Sequence, residues 1–460
     1  MDSKFEMDMS SGPLFKKIII YAIPLILTNL LQLLFQAADV VIVGNATNGV
    51  NPELAATAVS TTGTITTLVL GLFIGLSVGA NVILAHSIGE NNLTKARKIV
   101  STSILISIIF GVLLVCLCIP LTKSFLSLIN CNEEILPLAT TYLQLYFAGL
   151  PIILLYNFAS SILRAVGDTK RPLIYLAISG VVNVGLNAFC VFVLKLDVEG
   201  VAIATIISQA IAATLSVVAL IKSNGYSKLD LKNLKIYKDE FIEIVKIGLP
   251  SGLQGCIFAI SNIFIQADIN AFGQAAQSAN GLSSQIDGFT YNAMFAMIHT
   301  AAVFVSQNYG ALNYKRIKLS ILYCALTTTV IGMLFATIMY LFRTPLITLL
   351  GAKTPETIEI INLRLLMLGS TYFLCGIMDV LASSIRSLGK SLTAMVISLF
   401  FCCGVRLLWL ATVIKYLWPS LTGIYFVYPL TWLLAILTYI VILIPLLKKI
   451  KTRIENKSHL

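Results

Sequence analysis

The sequence predicts an all-α integral membrane protein of twelve transmembrane helices, built as two six-helix bundles related by a pseudo-two-fold axis along the membrane normal. Three observations carry the prediction: a dozen long apolar stretches, a one-sided distribution of basic residues, and a repeat at half the chain length. Of the 460 residues, 57% are hydrophobic and only 12% charged, which is more apolar surface than a water-soluble core can hide. A stretch of about 20 apolar residues crosses a hydrocarbon layer of about 30 Å, and twelve of them leave little chain for a soluble domain.

Apolar runs between polar breaks place the spans at 17–43, 54–85, 97–119, 136–163, 172–194, 200–221, 242–270, 281–309, 318–342, 357–385, 391–414 and 421–447. Twelve alternating spans put both termini on one side. That side collects 25 of the lysines and arginines and the opposite side 5, with Arg364 and Arg406 inside spans. The bias predicts cytoplasmic termini, and it turns the net charge of +11 into a topology signal rather than a footprint for nucleic acid. The expected order is a cytoplasmic segment 1–14, an N-terminal bundle 15–221, a basic cytoplasmic linker 222–240, a C-terminal bundle 241–447 and a basic tail 448–460. The polar stretch from 222 to 246 is also compatible with a solvated amphipathic helix on the membrane surface. Eight of nine cysteines fall in apolar runs and none forms a CxxC pair, so reduced, packing cysteines are expected. No small-residue cleavage site follows a short apolar core near the start, so the first span is expected to be retained.

The repeat is visible in three places. IPLILTN around Pro24 matches LPSGLQG around Pro250, an offset of 226 residues; AHSIGENN (85–92) matches SQNYGALN (306–313), an offset of 221; SSILRAVG (160–167) matches SSIRSLG (383–389), an offset of 222. Three matches in order, all on the cytoplasmic side, mark a duplicated scaffold of the kind transporters use, with both halves in the same orientation and a central cleft between them.

Ionisable groups at the centre of a span cost about 2.5–3.5 kcal/mol on insertion scales, so each needs a partner, a watery cavity or a job. Asp39 in the first span and Asp379 in the tenth stand out, with Arg406 in the eleventh and Arg364 near the start of the tenth, where snorkelling to the interface is expected. The repeat aligns Asp379 with Asn157 and brings Arg406 near Asn183. Asp379 and Arg406 are candidates for a buried ion pair or for a coupling site, and with Asn157 for the lining of the cavity. In the N-terminal half Asn183 and Asn187 share a helix face at i and i+4, and Thr205 lies on the next span. With Asp39 facing them, these oxygens form a cluster suited to Na⁺ or to a proton; the alternative is plain helix-to-helix hydrogen bonding.

Enzyme signatures are poor. The three histidines form no HExxH, and SLGKS (387–391) imitates the end of a phosphate-binding loop but has Ser384 at the first glycine position. Neither nucleotide hydrolysis nor a bound cofactor is expected. Asn45-Ala46-Thr47 satisfies a glycosylation sequon that matters only in a eukaryotic secretory route.

The residues Asp39 with the following VVIVG, then ELAATAVS, GLFIGLSVGANVILAHSIG, LRAVGDTKRP, VNVGLN and GVAIATIIS resemble the multidrug and toxic compound extrusion family, over about residues 15–447. The resemblance implies a V-shaped, monomeric transporter of the cytoplasmic membrane. It would export amphipathic, often cationic drugs or toxins in exchange for inward Na⁺ or H⁺. It also implies a cation-coupling role for Asp39, Asn183, Asn187 and Thr205. Many members carry an acid where Asn187 stands. Asp379 matches the tenth-span acid of another branch, but the seventh-span glutamate of that branch falls near Phe258 here, so the N-terminal half is the expected site of coupling. A lipid-linked saccharide flippase of the same superfamily is the alternative. Its cavity is typically lined by several basic residues, whereas this chain offers mainly Arg406.

Overall fold

The computed structural model describes residues 6–45, 52–129, 131–349 and 354–458, and they are helical almost throughout. Ala46 and Thr47 of the sequon, and Lys353 of the basic count, lie outside the described residues. The first half holds α1 (Leu14–Val43), α2 (Pro52–Gly89), α3 (Leu93–Leu128), α4 (Leu136–Ala148), α5 (Leu150–Ala165), α6 (Lys170–Ala188) and α7 (Val198–Lys222). The second holds α8 (Lys238–Asn270), α9 (Gln274–Gly310), α10 (Tyr314–Leu341), α11 (Arg343–Leu349), α12 (Pro355–Met367), α13 (Tyr372–Ser387), α14 (Ser391–Leu399), α15 (Arg406–Trp409) and α16 (Leu421–Ser458). Among the described residues eleven helices are long and apolar enough to cross a membrane, and the bent pair α4–α5 makes a twelfth span. The chain is a multi-pass membrane protein.

The span α4–α5 bends by 51° at Gly149. Pro151 follows at the start of α5, where it supplies no amide to the preceding turn. A Cβ on Gly149 would lie 2.6 Å from the Ile206 side chain, so the close approach of α7 calls for glycine. The repeat places the equivalent break at Gly369–Thr371, a 3₁₀ turn between α12 and α13. Other repeated details are as local. Asn91 and Leu312 both adopt left-handed φ, of 55° and 52°. The next residues, Asn92 and Asn313, cap α3 and α10 by accepting from the amides of Lys95 and Arg316 at 2.9 and 3.2 Å. Ser161 donates to the Ser77 carbonyl at 2.8 Å, and Ser383 donates to the Ile298 carbonyl at 2.9 Å.

The chain divides into two compact units: residues 1–8 with 30–252, and residues 9–29 with 253–460. These differ from bundles bounded at 15–221 and 241–447, because the opening half of α1 packs in the second unit and the opening half of α8 in the first. Glycine explains the second exchange. Gly75 and Gly79 on α2 face Gly248 and Gly252 on α8, and a Cβ on any of the four would collide with the backbone opposite. Two small-xxx-small faces thus meet backbone to backbone, an association that does not depend on a hydrophobic driving force. In the second unit Tyr21 of α1 meets Phe304 edge-on at 5.6 Å, and Asn29 donates to the Asn292 carbonyl at 3.0 Å.

The linker forms no amphipathic helix. Its one helical piece is a 3₁₀ turn at Leu231–Asn233 capped by Asp230, and Ser101 of α3 holds the strand beyond it by hydrogen bonds to Lys235. Residues 448–458, expected as a tail, continue α16.

Gly79→Leu or Gly248→Leu is expected to lower the stability of the purified protein by about 1–3 kcal/mol through overpacking. Gly63→Ala and Gly255→Ala, where a Cβ meets nothing within 4 Å, are the matched controls. Thermal unfolding in detergent checks the difference, and equal midpoints for all four variants would contradict it.

Candidate functional site

The geometry of the first unit starts one turn before the acid. Gly180 on α6 has no side chain, and the Phe35 ring of α1 occupies the space a Cβ would fill. That contact lets α1 approach α6. One turn along α1, and one and two turns along α6, the polar residues meet: Asn187 donates from Nδ2 to Asp39 Oδ1 at 2.5 Å and to Asn183 Oδ1 at 3.2 Å. Asn187 is fully buried and Asn183 nearly so, whereas Asp39 is partly exposed. Both Asn187 protons can be directed at oxygens, while its own Oδ1 is buried without a hydrogen-bond partner. A buried amide oxygen beside a carboxylate is an acceptor still waiting for a donor or a hard cation. The α-helix gives way to a π-helical stretch at Phe189–Val193 immediately after these residues, a local irregularity of the kind that recurs at functional sites.

Thr205 is not part of this hydrogen-bonded group. Its hydroxyl donates to the Val201 carbonyl at 2.8 Å, one turn back on its own helix, which leaves only its lone pairs for a ligand. Asn157 likewise donates to the Ile153 carbonyl at 2.9 Å. Two residues that sequence reasoning missed lie close: Tyr142 and Tyr146 on α4 stack at 6.2 Å and are within electrostatic reach of Asp39. Their signal was an i, i+4 pair of tyrosines in an apolar span, a pattern that ordinary core packing also produces.

The second unit is arranged differently. Arg364 does not snorkel: it is buried, with Nη2 3.0 Å from Asp287 Oδ2 and Nη1 donating to Ser283 Oγ at 2.5 Å and to the Asn280 carbonyl at 3.2 Å. Asp287, on α9, went unnoticed in sequence because only the fold shows that it lies opposite Arg364. The direct ion pair considered for Asp379 and Arg406 does not form. Arg406 instead donates from Nε to Thr431 Oγ1 at 2.9 Å and lies 4.2 Å over the Tyr428 ring and 5.7 Å over Trp432. Asp379 accepts from the Cys375 thiol at 3.9 Å, with Arg386 and Arg406 in electrostatic reach but not in contact.

A sequence profile of the MatE family matches residues 24–189 and 250–410. The chain belongs to the MatE family of transporters. Among similar proteins, the probable multidrug resistance protein YoeA of Bacillus subtilis (strain 168) is 24% identical over 435 residues, 93% of each chain. An FAD transporter of Shewanella oneidensis is 25% identical, over 75% of this chain and 77% of its own. Among solved structures, a multidrug resistance MATE transporter of the MOP superfamily in an outward-facing conformation superposes with a TM-score of 0.88. It is 20% identical and covers 96% of this chain and 98% of its own. A MOP superfamily transporter from Pyrococcus furiosus gives 0.87 at 19% identity, covering 97% of each. These structures share the fold with this MatE protein.

The Arg364–Asp287 pair makes its own prediction. Asp287→Asn leaves a buried guanidinium without its counter-charge and is expected to cost about 3–5 kcal/mol, whereas replacing both residues by leucine costs much less. Unfolding of the single and double variants in detergent decides it, and a double variant no more stable than the single would contradict it.

Proposed function

We propose that this MatE protein is a secondary active multidrug exporter of the cytoplasmic membrane that moves amphipathic, often cationic compounds outward in exchange for Na⁺ or H⁺. It works by alternating access as a monomer, without hydrolysing a nucleotide. The observation that carries the reading is the Asp39–Asn187–Asn183 cluster with its unpartnered Asn187 oxygen. Two relatives, a probable multidrug resistance protein and an FAD transporter, support transport of organic molecules over a lipid-linked saccharide. The excess of basic residues on the side of the termini supports a cytoplasmic location for both.

In the proposed cycle the drug enters from the cytoplasmic side, and a cation arriving from outside is held by the Asp39 carboxylate with the amide oxygens of Asn183 and Asn187. A sodium ion would take the Asn187 Oδ1 lone pair directly and add Thr205 Oγ1, whose acceptor capacity is intact. A proton would instead sit on Asp39 and end its demand for the Asn187 amide. Both neutralise the Asp39 carboxylate. The drug is then released because cation and drug favour different conformations; a cation with equal affinity for both could drive nothing. Tyr142 and Tyr146 are placed to feel this change of charge and to pass it to the aromatic packing of α4.

Asp39→Asn is expected to reduce gradient-driven efflux by at least about tenfold, a loss of 1.4 kcal/mol or more in coupling, with expression and unfolding temperature retained. Efflux of a fluorescent organic cation from proteoliposomes, under Na⁺ and pH gradients imposed separately, measures it. Unchanged efflux in the variant would overturn the assignment, and the gradient that accelerates wild type names the ion. Thr205→Val separates the two further: it weakens Na⁺-driven efflux and leaves proton-driven efflux intact.

A further inference from the structure

The spans of the second unit bury an unequal number of charges. Among the described residues Asp287 and Asp379 face Arg364, Arg386 and Arg406, two acids against three guanidiniums. Asp287 is committed to Arg364 at 3.0 Å. Asp379 lies within electrostatic reach of Arg386 and Arg406 but pairs with neither. A buried charge without a counter-ion is among the most expensive features a span can carry, and it persists where a ligand supplies what the protein withholds.

Arg406 is the group left open. It is only 6% exposed, and no carboxylate lies within ion-pair distance of it among the described residues. Its Nε is held by Thr431, whose hydroxyl in turn donates to the Tyr428 carbonyl at 3.0 Å, so the guanidinium plane is fixed against rotation. The Tyr428 and Trp432 rings support it from the side, and Tyr372 packs on Trp432 at 5.5 Å. Nη2 is buried without a hydrogen-bond partner. Arg386, whose Nη2 is held by Gln254 at 3.1 Å, likewise has an unpartnered buried Nε, but it has no aromatic companions of this kind. Arg364 Nε is buried without a partner as well, so what sets Arg406 apart is the aromatic faces it lies against rather than the missing bond.

We propose that Arg406, with Tyr428 and Trp432, forms a subsite for ligands that join a flat aromatic ring to an anionic group, so that the exporter accepts aromatic carboxylates, sulfonates and zwitterions as well as cations. The guanidinium offers Nη2 to the anion, and the rings offer a face to the aromatic part. The pair of recognition elements is what selects this class: an anion alone would forgo the aromatic faces, and a neutral ring would leave Nη2 unpaired. The inference rests on the transport reading above, but its test needs no gradient and no coupling ion, so a failure at Asp39 and a failure here give different results.

The three tryptophans of the chain, Trp409, Trp418 and Trp432, all lie in this unit, which makes intrinsic fluorescence a local probe. In purified wild-type protein without a gradient, 2,4-dinitrobenzoate is expected to quench saturably and at a concentration about tenfold lower than neutral 1,3-dinitrobenzene, as one charge-assisted contact requires. Equal potency of the two, or quenching that does not saturate, would overturn the proposal on wild-type protein alone. Displacement of dinitrobenzoate by inorganic phosphate or by phosphatidylglycerol, but not by naphthalene-2-sulfonate, would assign the site to a headgroup or a free ion and overturn it as well. Arg406→Gln is expected to abolish the preference for the anion and Arg406→Lys to restore only part of it. In phosphatidylcholine proteoliposomes the ratio of fluorescein to ethidium efflux should then fall about tenfold in the glutamine variant. A ratio that stays at the wild-type value would refute the subsite.

Discussion

A polar atom on a helix surrounded by hydrocarbon has no water to turn to, and the internal organisation of both units follows from how that demand is met. The helices satisfy their own backbones. Many hydroxyls and amides in the spans are then absorbed one turn back, as Thr28 on the Pro24 carbonyl, Thr205 on Val201 and Asn157 on Ile153 are. Others tie one helix to the next, and it is here that the two halves agree most closely: Ser161 with Ser77, Ser383 with Ile298. What distinguishes Asn187 Oδ1 and Arg406 Nη2 is that each is left over beside a charge or an aromatic face, where a ligand could complete it.

Close packing does the second part of the work. Without a hydrophobic drive between lipid-covered helices, association depends on how near two backbones can come. Gly75 and Gly79 against Gly248 and Gly252 give one such approach, and Gly180 under Phe35 gives another. The second has a consequence for chemistry. Asp39 lies one helical turn beyond Phe35, so the glycine that admits the ring also sets the distance between the acid and the amides. Packing and coupling share a residue at this point, and a change at Gly180 would move both.

Much of this was readable from the amino acids. Apolar runs and basic asymmetry are strong, redundant signals, so the number of spans and the duplication emerged directly, and the Asp39, Asn183 and Asn187 cluster followed from a lone acid and an i, i+4 pair. What could not be read depends on which helices meet. Arg364 looked like a residue that could reach an interface, because its partner Asp287 is 77 positions away with no local pattern to join them. The exchange of half-helices between units is invisible in a hydropathy profile, which records how apolar a segment is and not which helices it packs against. The direction of Arg406 was hidden for a different reason. A π-helical stretch at Phe400–Val405 precedes it, and each wide turn advances the helix face beyond the 3.6-residue period on which face assignments rest. Counting from Asp379 and the repeat therefore aimed Arg406 at the acid, whereas the π turns deliver it to Thr431 and Tyr428.

The same π turns give the duplication its functional meaning. Asn183 and Asn187 stand before a π stretch in the first half, at the place where the repeat puts Val405 and Trp409 in the second, and there Arg406 has a π stretch on either side. Equivalent positions have thus been given opposite electrostatic character on one scaffold. The first unit presents the Asp39 carboxylate with amide oxygens around it; the second presents the Arg406 guanidinium without a carboxylate in contact. In the proposed exchange, unlike charge preference would let one half respond to the coupling cation while the other responds to the cargo. A cargo carrying both signs, or an anion tethered to an aromatic ring, then suits the second unit without competing for Asp39. Differential binding of this kind is the physical requirement for exchange, and the proposed mechanism would meet it by dividing the two tasks between two copies of one fold.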